Sequence, residues 1–278
     1  MNSIVLARYS ESLDWIAEIP DDFTIFIYNK GERITSRAVL DRADHIVQRP
    51  NVGRESESYL FHMLTAVGND DDFTVYSQGS PFLHSPDFIA LLKAWHDWDD
   101  VQALSWCWKE AEDVPPRDIL AVARAGLGTK LLVRPELFSL NNWGPLEFHD
   151  RGARGMGLAY TLLNDGAPEA FNIASHVLRR CKLDYIADQA DNHMVGTFSY
   201  GAIFAARNSR VAPIPRDSLA LMRAFASEPI PCHGYMLERL WLHLCGLEFT
   251  RPKSRSESGR APYSLPEELV PILRIRES

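Results

Sequence analysis

Three β-prone runs near the amino terminus, each closing on a polar or cationic residue, constrain this chain more than any other feature. Ile4-Val5-Leu6-Ala7 ends in Arg8-Tyr9, Thr24-Ile25-Phe26-Ile27-Tyr28 ends in Asn29-Lys30-Gly31, and Phe73-Thr74-Val75-Tyr76 ends in Ser77-Gln78-Gly79. Between the first two, Ser10 can cap a helix that puts Leu13, Ile16 and Ala17 on one face and Glu11 and Asp14 in its first turn. A strand, a short helix and a second strand make a βαβ unit, whose crossover is parallel and right-handed. The pattern therefore predicts an α/β fold with a mixed, mainly parallel sheet flanked by helices. Its ligand site is expected beyond the carboxyl ends of the strands.

The second crossover, residues 32–50, reads as a small irregular strand and a turn ending at Pro50. A helix over residues 55–67 follows, with Tyr59, Leu60, Met63, Leu64 and Val67 at helical spacing and Gly68 as its stop. Ser85-Pro86-Asp87 opens another helix, on which Ile89, Leu92 and Trp95 form the apolar stripe. Beyond it the pattern changes. Residues 99–195 read as a helical and irregular insertion, with a short strand over 103–107, a helix over 117–125, a Gly/Pro/Asn-rich stretch over 135–157 and a helix opened by Pro168. Residues 196–250 return to the main fold. A strand over 197–206 is interrupted by Gly201, a helix begins at Pro215 and carries Leu219, Met222 and Phe225, and a last helix over 235–245 is stopped by Gly246. Residues 251–278 read as a polar tail. The organisation is thus a nucleotide-binding half over 1–98, the insertion, an acceptor-side segment and the tail.

A length of 278 residues allows a substantial core, and 46% apolar with 24% charged residues is ordinary globular composition. The net charge of -8 argues against nucleic acid as a partner, although a basic pocket can persist inside an acidic protein. Cys107, Cys181, Cys232 and Cys245 show neither a CxxC pair nor zinc spacing, so buried free thiols are expected. No leader pattern opens the chain, and no apolar run approaches the ~18 residues of a membrane span. A cytoplasmic protein with no integral membrane segment is the expectation.

Asn51-Val52-Gly53-Arg54-Glu55 forms a polar turn at a helix entrance, with an exposed guanidinium and carboxylate. Arg8, Lys30 and Arg54 belong to separate segments but converge on one edge of the expected sheet, where they could neutralise a diphosphate assisted by the N–H groups of the helix start. The competing reading makes them surface charges paired with Glu11, Glu55 or Asp72. Asn51, Gln78 and His84 complete the binding candidates. Glu238, at the edge of an apolar helix face, suits a general base or, equally, an ion pair with Arg239 or Arg207, and Asp150 is a second acid or base candidate. Asp70-Asp71-Asp72 precedes its strand rather than following it, and reads as a solvated turn. No set of metal ligands is assigned. Nucleophile elbow, Walker loop, GxGxxG and HExxH are missing from the sequence.

The ordered set Ala7-Arg8-Tyr9-Ser10-Glu11-Ser12-Leu13-Asp14-Trp15, Tyr28-Asn29-Lys30-Gly31, Asn51-Val52-Gly53-Arg54-Glu55 with Tyr59-Leu60, and Gln78-Gly79-Ser80-Pro81-Phe82 with His84 resembles a domain-of-unknown-function family. That family is in turn similar to glycosyltransferases of capsule and lipopolysaccharide synthesis. The likeness covers residues 1–90 and resumes at Tyr200-Gly201-Ala202-Ile203-Phe204-Ala205 and Glu238-Arg239-Leu240-Trp241. It implies a GT-A-like, Rossmann-like sheet and a nucleotide-sugar donor bound through Arg8, Lys30 and Arg54. A glycan hydroxyl acceptor would be deprotonated by Glu238. Gln78 departs from the acidic motif that holds Mg²⁺ or Mn²⁺ in such enzymes, which points to a metal-independent site. The alternatives are a non-catalytic carbohydrate- or nucleotide-binding protein, and a hydrolase using Asp150 and His84.

Overall fold

The computed structural model describes residues 1–66, 68–105, 135–146, 148–167 and 170–250. In chain order the first half holds β1 (Asn2–Arg8), β2 (Phe23–Asn29), α1 (Arg37–Arg42), β3 (His45–Gln48), α2 (Arg54–Thr65), β4 (Phe73–Gln78), α3 (Phe88–Lys93) and β5 (Val101–Ala103). The second half holds β6 (Glu136–Ser139), α4 (Arg151–Leu163), α5 (Ile173–Arg180), α6 (Asp184–Asp191), β7 (Val195–Phe198), β8 (Phe204–Arg207), α7 (Asn208–Val211), α8 (Arg216–Ser227), α9 (Pro231–Glu238) and α10 (Trp241–Leu244).

The main sheet has the order β3-β2-β1-β4-β8-β5. β1 pairs in parallel with both β2 and β4, and β2 with β3, whereas β8 runs antiparallel to β4 and to β5. Alternation along the strands divides the core between the two faces. Val5 and Ala7 pack with Tyr59, Tyr76 and Phe204 on one face, while Ile4 and Leu6 pack with Ile25, Ile27 and Val75 on the other. β6 and β7 form a separate antiparallel pair. The mixed, mostly parallel sheet flanked by helices is therefore as the sequence predicts, and β5 and β8 complete the sheet begun by residues 1–98.

Several local expectations are revised. The helix after β1 is a 3-10 turn over Asp14–Glu18; Ser10 does not cap it, and Ala17 is exposed. Its buried residues Leu13, Ile16 and Ile19 recur every third position, the period of a 3-10 turn rather than an α-helix. Residues 32–50 contain the small strand β3 and also α1, whose six residues bury only Val39, too short a stripe to show as periodicity. The buried side of α3 is Phe88, Leu91 and Leu92, one residue out of phase with the expected stripe.

The run 197–206 is two strands in two different sheets. Gly201, at φ +67, turns the chain between them, and a Cβ there would meet the His84 ring at 2.8 Å. The last helix also divides, into α9 and α10. Leu237, Arg239, Leu240, Trp241 and Leu242 are all buried, and one straight helix would point them all round its axis. Cys181, Cys232 and Cys245 are buried free thiols. The helix expected from Pro168 begins at Ile173, where Asn172 Oδ1 caps it by accepting from the Ser175 N–H, and Phe171 precedes it. The expected helix over 117–125, the expected tail over 251–278, and Val67, Cys107 and Pro168 lie outside the described residues. Among the described residues no helix is long and apolar enough to cross a membrane.

Candidate functional site

The winding from β1 through β2 to β3 proceeds in one direction, whereas β4 lies on the opposite flank of β1, so the topological switch point falls between β1 and β4. A cleft of 340 Å³ opens at the carboxyl ends of these strands. Ala7, Arg8 and Tyr9 at the end of β1, Lys30 after β2, Asn51 and Arg54 at the start of α2, and Gln78 at the end of β4 all line it, together with Glu11 and Glu55. Five of the predicted binding residues, drawn from four separated segments, therefore share one cavity. Its floor needs a close backbone approach. A Cβ on Gly31 would sit 1.8 Å from the Tyr9 carbonyl oxygen, so only glycine lets the loops after β1 and β2 touch.

The three cations have different duties. Arg8 directs Nε to the Glu11 carbonyl at 3.0 Å, and Nη1 to Asn29 Oδ1 at 2.7 Å and the Glu32 carbonyl at 2.8 Å. Lys30 Nζ donates to the carbonyls of Val52 and Arg54 and lies 3.3 Å from Glu57 Oε2. Two of the ammonium's three protons go to these carbonyls, and Glu57 stands beside it as a counter-charge. Lys30 thus lines the cleft but fixes the 51–54 turn, rather than holding a free charge toward a ligand. Burial draws its pKa down, against the pull of Glu57.

Arg54 is the accessible cation. Its side chain is 49% exposed, and its Nε makes a loose pair with Glu55 Oε2 at 3.6 Å. The guanidinium carbon lies 4.5 Å over the Tyr235 ring. Its backbone is left-handed, at φ +50, directly after Gly53 at φ +65. A long side chain held there marks local strain at a site built for more than stability.

The neighbouring carboxylates differ from the sequence expectation. The Glu55 side chain is not exposed: it retains 7% of its accessible surface. Burial pushes its pKa up, with Glu238 adding to the rise and Arg54 opposing it. Two residues on, the Glu57 side chain is 1% exposed and receives Arg49, Arg223 and Lys30. Burial alone would raise it, but the hydrogen bond from Arg49 and the charge of Lys30 prevail and hold it below the usual carboxylate range. Neither burial is legible in the sequence, because Glu55-Ser56-Glu57-Ser58 carries no apolar signal. Glu11 is held differently, its Oε2 accepting from the backbone N–H groups of Tyr9 at 2.6 Å and Ser10 at 3.0 Å.

Gln78 and His84 meet the turn between β7 and β8. Gln78 Nε2 donates to the Gly201 carbonyl at 2.9 Å, while the His84 ring packs edge-on against Tyr200 with centroids 4.7 Å apart. Burial lowers the pKa of His84, and the nearby Glu238 charge opposes that shift. Glu238 ends α9, and the field of its carboxylate reaches Arg54 and Glu55 as well as His84.

Asp150 and Glu238, the two predicted catalytic carboxylates, share one guanidinium. Arg239, whose side chain is 1% exposed, places Nη2 3.2 Å from Asp150 Oδ2 and Nη1 3.8 Å from Glu238 Oε2, and lies over the Phe198 ring. Asp150 also caps α4, its Oδ1 accepting from the Ala153 N–H at 2.9 Å. It therefore has two structural partners, and Glu238 is the freer carboxylate. Asp72, from the Asp70-Asp71-Asp72 turn, pairs with the amino-terminal ammonium at 2.8 Å. Among the described residues, no group of three or more His, Cys, Asp or Glu could hold a metal ion. Comparison of the chain with protein-family models, curated proteins and solved structures finds no match in any of the three.

Proposed function

We propose that this chain is a cytoplasmic, GT-A-like glycosyltransferase that moves a sugar from a nucleotide donor to a hydroxyl of a surface-glycan acceptor. One observation carries the reading: Arg8, Lys30, Asn51, Arg54 and Gln78 line a single cleft at the switch point of a mainly parallel sheet. In that reading Arg8, Asn51 and Arg54 receive the diphosphate, and Lys30 fixes the turn that presents Arg54. The acceptor oxygen attacks the anomeric carbon as the carbon–oxygen bond to the diphosphate breaks, the bonding pair leaves with the phosphate, and Glu238 takes the hydroxyl proton. Arg54, with one face open to the cleft, stabilises the charge that builds on the leaving group. Burial favours the neutral form of Glu55, which leaves the balance of the cleft more positive for an anionic donor.

A second reading is a carbohydrate- or nucleotide-binding protein without turnover. It is favoured by Gln78, whose amide is committed to Gly201 and which brings no carboxylate to the end of β4. A thermal-shift panel of nucleotide sugars, with and without Mn²⁺, tests for the donor: a bound donor raises Tm as its concentration exceeds Kd. Glu238→Gln then separates the readings, since loss of a positioned base lowers turnover by about 10²–10⁴-fold. Donor stabilisation with no product from the wild type selects the binding protein. Unchanged turnover in Glu238→Gln removes Glu238 as the base.

A further inference from the structure

Arg54 stands in the wall of two cavities. Besides the cleft it lines a second one of 450 Å³, where Met156, Ala226, Pro229 and Ile230 supply carbon surface, Tyr235 an aromatic ring and Glu228 a carboxylate. Both volumes lie in the range of small-ligand sites, ~300–1,000 Å³.

The partition between them is closely built. A Cβ on Gly234 would come within 2.9 Å of Arg54 Cδ, so glycine at this position lets the arginine lie across α9 and reach the Tyr235 ring. On the other side, a Cβ on Gly53 would come within 2.8 Å of Glu57 Cβ and 3.0 Å of the Ala226 carbonyl oxygen. Two glycines and a left-handed arginine thus hold a thin wall where ordinary side chains would fill the space. Helical spacing also sets Pro231, Gly234, Tyr235 and Glu238 along one side of α9. Pro231, Gly234 and Tyr235 line the second cavity, and Glu238, the proposed base, follows one turn beyond Tyr235 on the same side of the helix.

A lining of carbon and one aromatic ring, with a carboxylate and a guanidinium at its margin, suits a ligand that has an apolar C–H face and hydroxyls round its edge. Glu228 already accepts from Arg180 Nη2 at 3.0 and 3.1 Å but keeps lone pairs for a further donor, and a hydrocarbon chain would offer neither it nor the half-exposed Arg54 a hydrogen-bonding group. We infer that the second cavity is a carbohydrate subsite, which seats a pyranoside ring against Tyr235, Met156 and Ile230 and turns its hydroxyls toward Glu228 and Arg54. As the acceptor's seat it rests on the transferase reading; as a sugar site it stands on the cavity.

The test is a backbone-amide NMR titration of the full chain with methyl glucopyranoside, methyl galactopyranoside and the methyl glycoside of N-acetylglucosamine, followed by inorganic pyrophosphate. At least one pyranoside is expected to shift Gly53, Gly234 and Tyr235 saturably, and pyrophosphate to shift Gly31, Asn51 and Gly79. Ile230→Trp, and separately Pro229→Trp at an exposed position, fill the cavity and abolish the pyranoside shifts while leaving those of pyrophosphate. Pyrophosphate binding with no pyranoside shift at Gly234 overturns the subsite and leaves the nucleotide reading intact. Pyranoside binding without pyrophosphate keeps the subsite and overturns the transferase. Pyranoside shifts that survive both tryptophans, or that fall only on the cleft, also overturn it.

Discussion

Glu55 and Glu57 lie two residues apart on α2, both buried, and their environments act in opposite directions. Glu57 faces a hub of three cations, Lys30, Arg49 and Arg223, which draw together the end of β2, the approach to α2 and helix α8. Glu55 lines the cleft, its Oε2 3.6 Å from Arg54 Nε. Burial pushes both carboxylates upward; at Glu57 the hydrogen bond from Arg49 and the charge of Lys30 overcome it, and at Glu55 the charge of Arg54 does not. A buried carboxylate ringed by three cations is a structural strut. A carboxylate and an arginine left half-matched at the rim of a cavity are groups that can still respond to a ligand.

The largest effect should come from breaking the hub. Glu57→Gln leaves three cations without their common buried counter-charge, and is expected to lower unfolding free energy by about 3–5 kcal/mol in denaturant titrations. The wild-type hub also has a pH signature. Because the folded pKa of Glu57 is depressed, its contribution is present above the ordinary carboxylate range and is lost as pH falls through the folded value. A Glu57→Gln protein as stable as wild type would show that the hub carries no load.

Next in size is His62, further along α2, where Nδ1 meets the Tyr28 hydroxyl at 2.9 Å. Burial, with a smaller contribution from His45, lowers its pKa from 6.5 to about 4. Between those values the unfolded chain binds the extra proton, so stability falls as pH drops from 6.5 toward 4, by up to about 3 kcal/mol. Unfolding curves of wild type and His62→Gln across this window should converge toward acid; parallel curves would contradict the shift.

On the cleft side the effects are smaller, and some are gains. Arg54→Gly removes a side chain from a left-handed backbone and is expected to stabilise the fold by about 1 kcal/mol while weakening anion binding. Glu55→Gln should act oppositely to Glu57→Gln. The raised pKa of Glu55 means that its contribution is present below the ordinary carboxylate range and is lost as pH rises through the folded value. Replacing it by the neutral amide should therefore make the protein relatively more stable at pH 8 than at pH 4.5, as differential scanning calorimetry would record.

The same contrast explains what could be read from the sequence. Strand ends are legible because apolar runs stop there, and in a parallel sheet all such ends face one edge; Arg8, Lys30 and Gln78 follow directly. Asn51 and Arg54 follow from the helix start after β3. Lys30's true partners were not legible, since the Val52 and Arg54 carbonyls reach it only through the conformation of a turn. The hub was not legible either: Arg223 reaches Glu57 across 166 positions of sequence, through the packing of α8 on α2. Asp150 could be read as a helix cap from Asp150-Arg151-Gly152-Ala153, but its pairing with Arg239 required the tertiary fold.

The central claim is that the switch-point cleft receives linked phosphates through Arg54 and its neighbours. Isothermal titration of the intact protein with pyrophosphate tests it most directly. Wild type is expected to bind at one site, and Arg54→Ala to bind at least about tenfold more weakly, the scale of one lost charge-assisted hydrogen bond. Equal affinities for the two proteins, or no heat of binding in wild type, would contradict it.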